Sequence, residues 1–147
     1  MDVTYFTSTT EEQVKEYAQI AISNKLFVSG WRLNGLLHKI IEGDTAEAYD
    51  PKITLCFHND TGKFIGIAVR YKCVSFAIRF TMQAFTRVDY RKKGIGKRMV
   101  DLCGGMQGCF GGPGIHGSDV FWDKCKGQTE EAKVFVLVED ELELQIA

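Results

Sequence analysis

The chain lacks several things that would assign it quickly. It has no run of about 18 apolar residues, so no segment is expected to span a bilayer. It has no basic excess either: 18 Lys and Arg stand against 19 Asp and Glu, for a formal charge of -1. That balance argues against a general nucleic-acid or membrane-surface binder, whose affinity rests on positive charge. Its five cysteines are an odd number and include no C-x-x-C pair, so they do not read as a disulfide framework. They read instead as small reduced apolar residues of a cytoplasmic protein. Cys103, Cys109, His116 and Cys125 match no usual zinc spacing, and no metal site is expected. MDVTYFTSTTEEQ lacks the basic-then-apolar layout of a secretory signal.

What remains is ordinary for a folded domain. The 147 residues are 45% hydrophobic and 25% charged, with two prolines. A chain of that length suffices for one domain with its own core, and no boundary or repeat divides residues 1–147.

The hydrophobic pattern supplies the elements. Val3 to Phe6 suits a short strand. Thr9 with Glu12 and Thr10 with Gln13 form two overlapping capping boxes, predicting a helix from about residue 10 to 23. Val14, Tyr17, Ala18, Ala21 and Ile22 keep its apolar spacing. Leu33, Leu36, Leu37, Ile40 and Ile41 share one face of a second helix, which Gly43-Asp44 weakens or ends. From Lys52 the period becomes two, with Ile53, Leu55 and Phe57, and His58 to Gly62 carries turn chemistry before a strand at Phe64 to Tyr71. Phe76, Ile78, Phe80, Met82 and Ala84 alternate in a further strand, with Arg79, Thr81 and Gln83 on its other face. Ile95, Met99, Leu102, Cys103 and Met106 return to helical spacing. Seven glycines between Gly104 and Gly117 leave that stretch open as loop or strand. A short helix at 118–127 and strands at 134–138 and 142–146 complete an α/β order.

The stretch YRKKGIGKRM, Tyr90 to Met99, falls between that strand and that helix. The first amides of a helix have no intrahelical partner, and the helix dipole adds positive character there. Successive N–H groups can therefore hold an anion of pyrophosphate size. Gly94 and Gly96 remove the Cβ atoms that would keep oxygens away. Arg91, Lys92, Lys93, Lys97 and Arg98 surround them with charge. The spelling is neither a phosphate-binding G-x-x-x-x-G-K-[ST] loop, since Arg98 follows the lysine, nor a dinucleotide fingerprint, since Met99 stands at the third glycine.

Arg91-Lys92-Lys93-Gly94-Ile95-Gly96 resembles the Q/R-x-x-G-x-G/A signature of the GNAT N-acetyltransferase superfamily. Asn59 to Gly66 is similar to that family's hairpin, and Val120 to Gly127 to its late helix. The resemblance implies a single-domain, mixed but mostly antiparallel sheet flanked by helices. It implies acetyl-CoA as co-substrate, with the amides of Lys93 to Lys97 on the pyrophosphate and Phe85, Thr86 and Arg87 pairing with the pantetheine arm. One of those strand amides would polarise the thioester carbonyl. Trp122 stands where the family often has a tyrosine acid, Ile115 where it often has an asparagine, and no carboxylate lies between Phe76 and Val88. His116, just before the late helix, is the substitute proton relay, and His38 and Tyr90 are further candidates.

The expected function is therefore transfer of an acetyl group from acetyl-CoA to a primary amine, on a small molecule or a protein. A homodimer is compatible with it. Two alternatives stay open: a GNAT-like cofactor- or partner-binding regulatory module without chemistry, and a phosphate or nucleic-acid binder using only the basic loop. The acids Glu139, Asp140, Glu141 and Glu143 could favour a cationic acceptor, or form a solvated strand face.

Overall fold

A computed structural model describes residues 2–24, 32–72, 80–105 and 136–138. Within them the chain runs β1 (Val3–Thr7), α1 (Glu11–Ser23), α2 (Arg32–Glu42), β2 (Tyr49–His58), β3 (Phe64–Lys72), β4 (Thr81–Thr86), a 3-10 turn (Val88–Tyr90), α3 (Ile95–Leu102) and β5 (Val136–Val138). The five strands form one sheet in chain order. β1 to β4 are antiparallel neighbours, and β5 lies parallel to β4. This is the mixed, mostly antiparallel α/β architecture expected. The start of the strand anticipated from Phe76, the glycine-rich stretch, the helix at 118–127 and the strand at 142–146 lie outside the described residues.

Local chemistry sets the helix ends. Thr10 caps α1 by accepting from the Gln13 amide at 3.1 Å. Gln13 returns its Oε1 to the Thr9 amide at 2.9 Å, so the capping box closes one residue earlier than usual. α2 stops where Gly43 turns left-handed at φ 76°. The β2–β3 hairpin closes through His58 N–H to the Lys63 carbonyl at 2.9 Å, with Gly62 at φ 68°.

The sheet is buried on both faces. Ile53, Leu55, Val69 and Phe85 point toward α1 and α2, where Val14, Ala18, Leu33 and Leu37 meet them. Cys56, Ala68, Met82 and Ala84 point the other way, onto Ile95, Met99, Val100 and Cys103 of α3. Thr81 and Gln83 share β4's other face and are buried too; Gln83 Nε2 donates to the Tyr71 hydroxyl at 2.8 Å.

The β2–β3 ladder carries one irregularity close to the start of α3. Cys56 pairs with Gly66 but Phe57 pairs with Phe64, so Ile65 is an extra residue on β3. Such a bulge reverses which face successive side chains take. Ile65 accordingly shares the α3 face with Gly66, and Phe64 returns to the α1/α2 core.

Burial raises the Cys56 thiol to about 11. It raises Cys103 to about 12, and the Cys103 Sγ donates to the Lys52 carbonyl at 3.0 Å. Both thiols therefore stay protonated in the folded state well above neutrality. Their contribution to stability is complete below the unfolded thiol's usual 9.0 and is lost as pH climbs toward the raised values. Iodoacetamide at pH 8, followed by peptide mapping, should leave both unmodified in native protein and alkylate both in urea. Native alkylation of either would contradict the packing of α3 on the sheet.

Candidate functional site

The site forms where β4 leaves the sheet. Among the described residues its pairing with β5 covers Met82, Gln83 and Ala84. Its pairing with β3 continues to Thr86, and Arg87 N–H still reaches the Ile65 carbonyl at 2.8 Å. Successive residues of a strand aim their amides at opposite edges. With Arg87 bound to β3, the Thr86 amide faces the β5 side, where no described strand meets it. The Thr86 carbonyl is already engaged, accepting from Arg91 Nε at 2.8 Å. Among the described strands, that edge thus offers a donor and no free acceptor.

Gly66 holds the arrangement. A Cβ there would lie 2.5 Å from the Phe85 carbonyl oxygen, 2.9 Å from Met99 Cε and 3.3 Å from Thr86 Cα. No other residue fits between β3, β4 and α3 at this point.

The chain then turns through the 3-10 segment, with Tyr90 N–H bonded to the Arg87 carbonyl at 2.9 Å. Lys92 takes φ 63° and Gly94 φ 80° before α3 begins. No side chain caps α3. Its first helical bond runs from Arg98 N–H to the Gly94 carbonyl at 3.0 Å, and the amides ahead of Arg98 have no acceptor within the helix. A Cβ at Gly94 would meet nothing within 4 Å, so the space beside this turn is kept open by the glycine alone.

The basic residues divide. Lys97 is paired with Asp101 at 3.0 Å, and Arg91 is half-buried and tied to Thr86, so neither offers its full charge to a ligand. Lys92, Lys93 and Arg98 are exposed. Arg87 Nε is buried without a hydrogen-bond partner among the described residues. Uncapped amides at a glycine-opened helix start fit an anionic group, and with the exposed Lys92, Lys93 and Arg98 around them they suit a diphosphate.

Several features here were not read from the sequence. Tyr5 and Val3 of β1 line a groove of about 460 Å³ with Lys93 and Ile95 at the start of α3. Burial raises the Tyr5 phenol, Cys56 adds to the shift and Arg98 opposes it. His58 has a buried, unpartnered Nδ1, and its ring lies 6.2 Å from that of Tyr90. Only the alternation of β1 hinted at Tyr5; nothing local marked His58 beyond its place in a turn.

Of the expected site residues, the structure brings Phe85, Thr86, Arg87, Arg91, Lys92, Lys93, Gly94, Ile95, Gly96 and Lys97 to one end of the sheet. Ile95 is buried and serves the core. Tyr90 packs against the α3 core, and His38 is exposed on α2. His116 and Trp122 lie outside the described residues. Among those described, no cluster of three His, Cys, Asp or Glu could hold a metal, and no helix is long and apolar enough to cross a membrane.

No protein-family model matches the chain, and no curated protein matches it. Solved structures do resemble it. The ribosomal-protein-alanine N-acetyltransferase of Brucella melitensis biovar Abortus 2308 is 18% identical over 100% of this chain and 92% of its own, at a TM-score of 0.39. The glucosamine-6-phosphate N-acetyltransferase of Arabidopsis thaliana is 15% identical over 97% and 86%, at 0.37. A predicted acetyltransferase from Clostridium acetobutylicum, solved with acetyl-CoA, is 9% identical over 99% and 86%, at 0.36. All three are acetyltransferases by name, the class whose signature Arg91 to Gly96 resembles. At such TM-scores the fold and the site rest on the chain's own hydrogen bonds and packing.

Gly66→Ala should cost about 1–3 kcal/mol, the usual range for overpacking a filled core, because a backbone carbonyl must move. Urea unfolding would measure it. Unchanged stability would mean that β3 and β4 part without cost, and the geometry described for Thr86 would lose its support.

Proposed function

We propose that the chain is an N-acetyltransferase that moves an acetyl group from acetyl-CoA to a primary amine by direct transfer. The observation that carries this reading is a coincidence in space. The Thr86 amide, which no described strand meets, stands a few residues before the uncapped, glycine-opened start of α3. A long ligand with an amide-bearing arm and a diphosphate needs those two features side by side. The arm would add to β4 as an extra strand does, and the diphosphate would take the amides around Lys93 to Lys97.

The chemistry follows from the same atoms. The amine nitrogen attacks the thioester carbonyl carbon, the C–S bond breaks, and coenzyme A leaves as thiolate. Negative charge that develops on the carbonyl oxygen would be met by the Thr86 amide, preorganised by its strand. Arg91 assists by occupying the neighbouring carbonyl, which would otherwise repel that oxygen.

The amine must arrive neutral, and β4 carries no carboxylate to deprotonate it. An α-amino group has a pKa near 8 and a lysine near 10.4, so about a tenth of the first is neutral at pH 7 but well under a thousandth of the second. Where solvent takes the proton, an α-amine is the better acceptor. His116 is the residue of this chain proposed to relay the proton if one does so.

A second reading keeps the cofactor and drops the chemistry. The carboxylate-free β4 favours it, and it makes the chain a cofactor- or partner-binding module. Thiol release on mixing with acetyl-CoA and a panel of amines, including peptides with free N-termini, separates the two.

The residue test uses Gly94→Asn and Gly96→Val. Asparagine tolerates the left-handed φ of residue 94 while filling the space beside it. Both variants should weaken acetyl-CoA binding at least tenfold by calorimetry while melting cooperatively. Wild-type affinity in both would remove the diphosphate from this turn.

A further inference from the structure

A second cavity lies at the other end of the sheet. It measures about 620 Å³ and opens where the start of α1 meets the turn after α2 and the beginning of β2. Pockets for small organic ligands run from about 300 to 1,000 Å³.

Its lining has two layers. Val14, Ile40 and Ala48 form its floor but are no more than 5% exposed, so the apolar surface it offers a ligand is chiefly the ring of Tyr49. Around them stand Glu11 and Lys15 of α1 with Asp50 and Lys52 of β2. These are two anions and two cations, yet none is in an ion pair within 4.0 Å among the described residues. All four side chains are exposed, and Lys15 Nζ lies 3.8 Å from where a Cβ on Gly43 would sit, over the end of α2. Tyr49 completes the rim and is 55% exposed, one of two large apolar side chains so exposed among the described residues.

Opposite charges that line one cavity without meeting each remain able to take a counter-charge from a ligand. The exposed Tyr49 ring among them would take a hydrocarbon or aromatic body. We propose that this cleft binds a small zwitterion with an apolar body, of the α-amino-acid class. The ammonium faces Glu11 and Asp50, the carboxylate faces Lys15 and Lys52, and the side chain lies against Tyr49.

This ligand is not the amine acceptor. Lys52 pairs through Arg70 to Met82, whereas Cys56 pairs through Gly66 to Thr86. The two rows are four residues apart, or roughly 13 Å at the rise of a strand. Direct transfer requires the reacting atoms within about 3.5 Å. The cleft is therefore a separate site, and the proposal stands whether or not the chain transfers acetyl groups.

Calorimetry on the full chain with L-phenylalanine tests it, with phenethylamine and 3-phenylpropionate as analogues that keep one charge each. Saturable one-to-one binding of L-phenylalanine is expected, with either analogue at least tenfold weaker. Lys15→Met and Asp50→Asn should each weaken it at least fivefold, while the ligand-free melting temperatures show that both variants fold. Asparagine suits the left-handed φ of 50° at residue 50. Absence of saturable binding, equal affinity for the three compounds, or wild-type affinity in both variants would overturn the proposal.

Discussion

Two backbones can touch only where a side chain is missing, and in this sheet that place is Gly66. Its Cα faces Thr86 across the β3–β4 ladder while Met99 of α3 closes over it from above. Because nothing projects from Gly66, β4 can stay hydrogen-bonded to β3 as far as Arg87, beyond the last of its described pairs with β5. The same contact fixes the height of α3 above the sheet. The free edge of Thr86 and the open amides of α3 are thus set against each other by a single packing constraint. The bulge at Ile65 sits directly beside it and places that side chain on the α3 face, next to the gap that Gly66 leaves there.

The motif's charge is smaller than its spelling. Every residue from Arg91 to Arg98 except Ile95 is basic or glycine, but Lys97 answers Asp101 and Arg91 answers Thr86. A ligand there meets backbone first and mobile charge second. That order favours specificity: amides fixed by φ angles of 63° at Lys92 and 80° at Gly94 cannot rearrange to suit any passing anion, whereas exposed lysines can. The net charge of -1 is consistent with a site that relies on geometry more than on field.

Much of the fold was legible because its signals are local. Thr10 and Gln13 announce a cap within four residues, His58 to Lys63 a hairpin within six, and the Gly94-x-Gly96 turn a strand-to-helix junction. What escaped is non-local. Gly66 reads as one more hairpin glycine until β4 and α3 are laid on it. Arg91 reads as ligand-binding charge until the Thr86 carbonyl is seen beside it. The parallel pairing of β5 with β4 joins residues more than fifty apart, and no periodicity reports a partner at that distance. The second cleft has no motif at all; its walls come from α1, the turn after α2 and β2, and only folding unites them.

The two ends of the sheet differ in what they can recognise. At Thr86 the described groups are donors: strand amide, helix amides and the buried Nε of Arg87. Such a set suits acceptor-rich, anionic ligands better than amines, so in the proposed reaction an amine acceptor would approach the thioester from another side. At the opposite end, donors and acceptors are balanced around apolar surface, which selects a ligand carrying both charges. The sheet separates these chemistries by about four residues of strand, and its antiparallel register makes the separation rigid. The midpoint between them is the row of Thr54, Ala68 and Ala84, all buried. The buried contact of Gln83 with the Tyr71 hydroxyl lies at the row of Arg70 and Met82, nearer the second cleft. Buried polar contacts are sensitive to small shifts in strand spacing because an unmade bond there is costly, so a ligand in that cleft would act on this pair before it reached the Thr86 end.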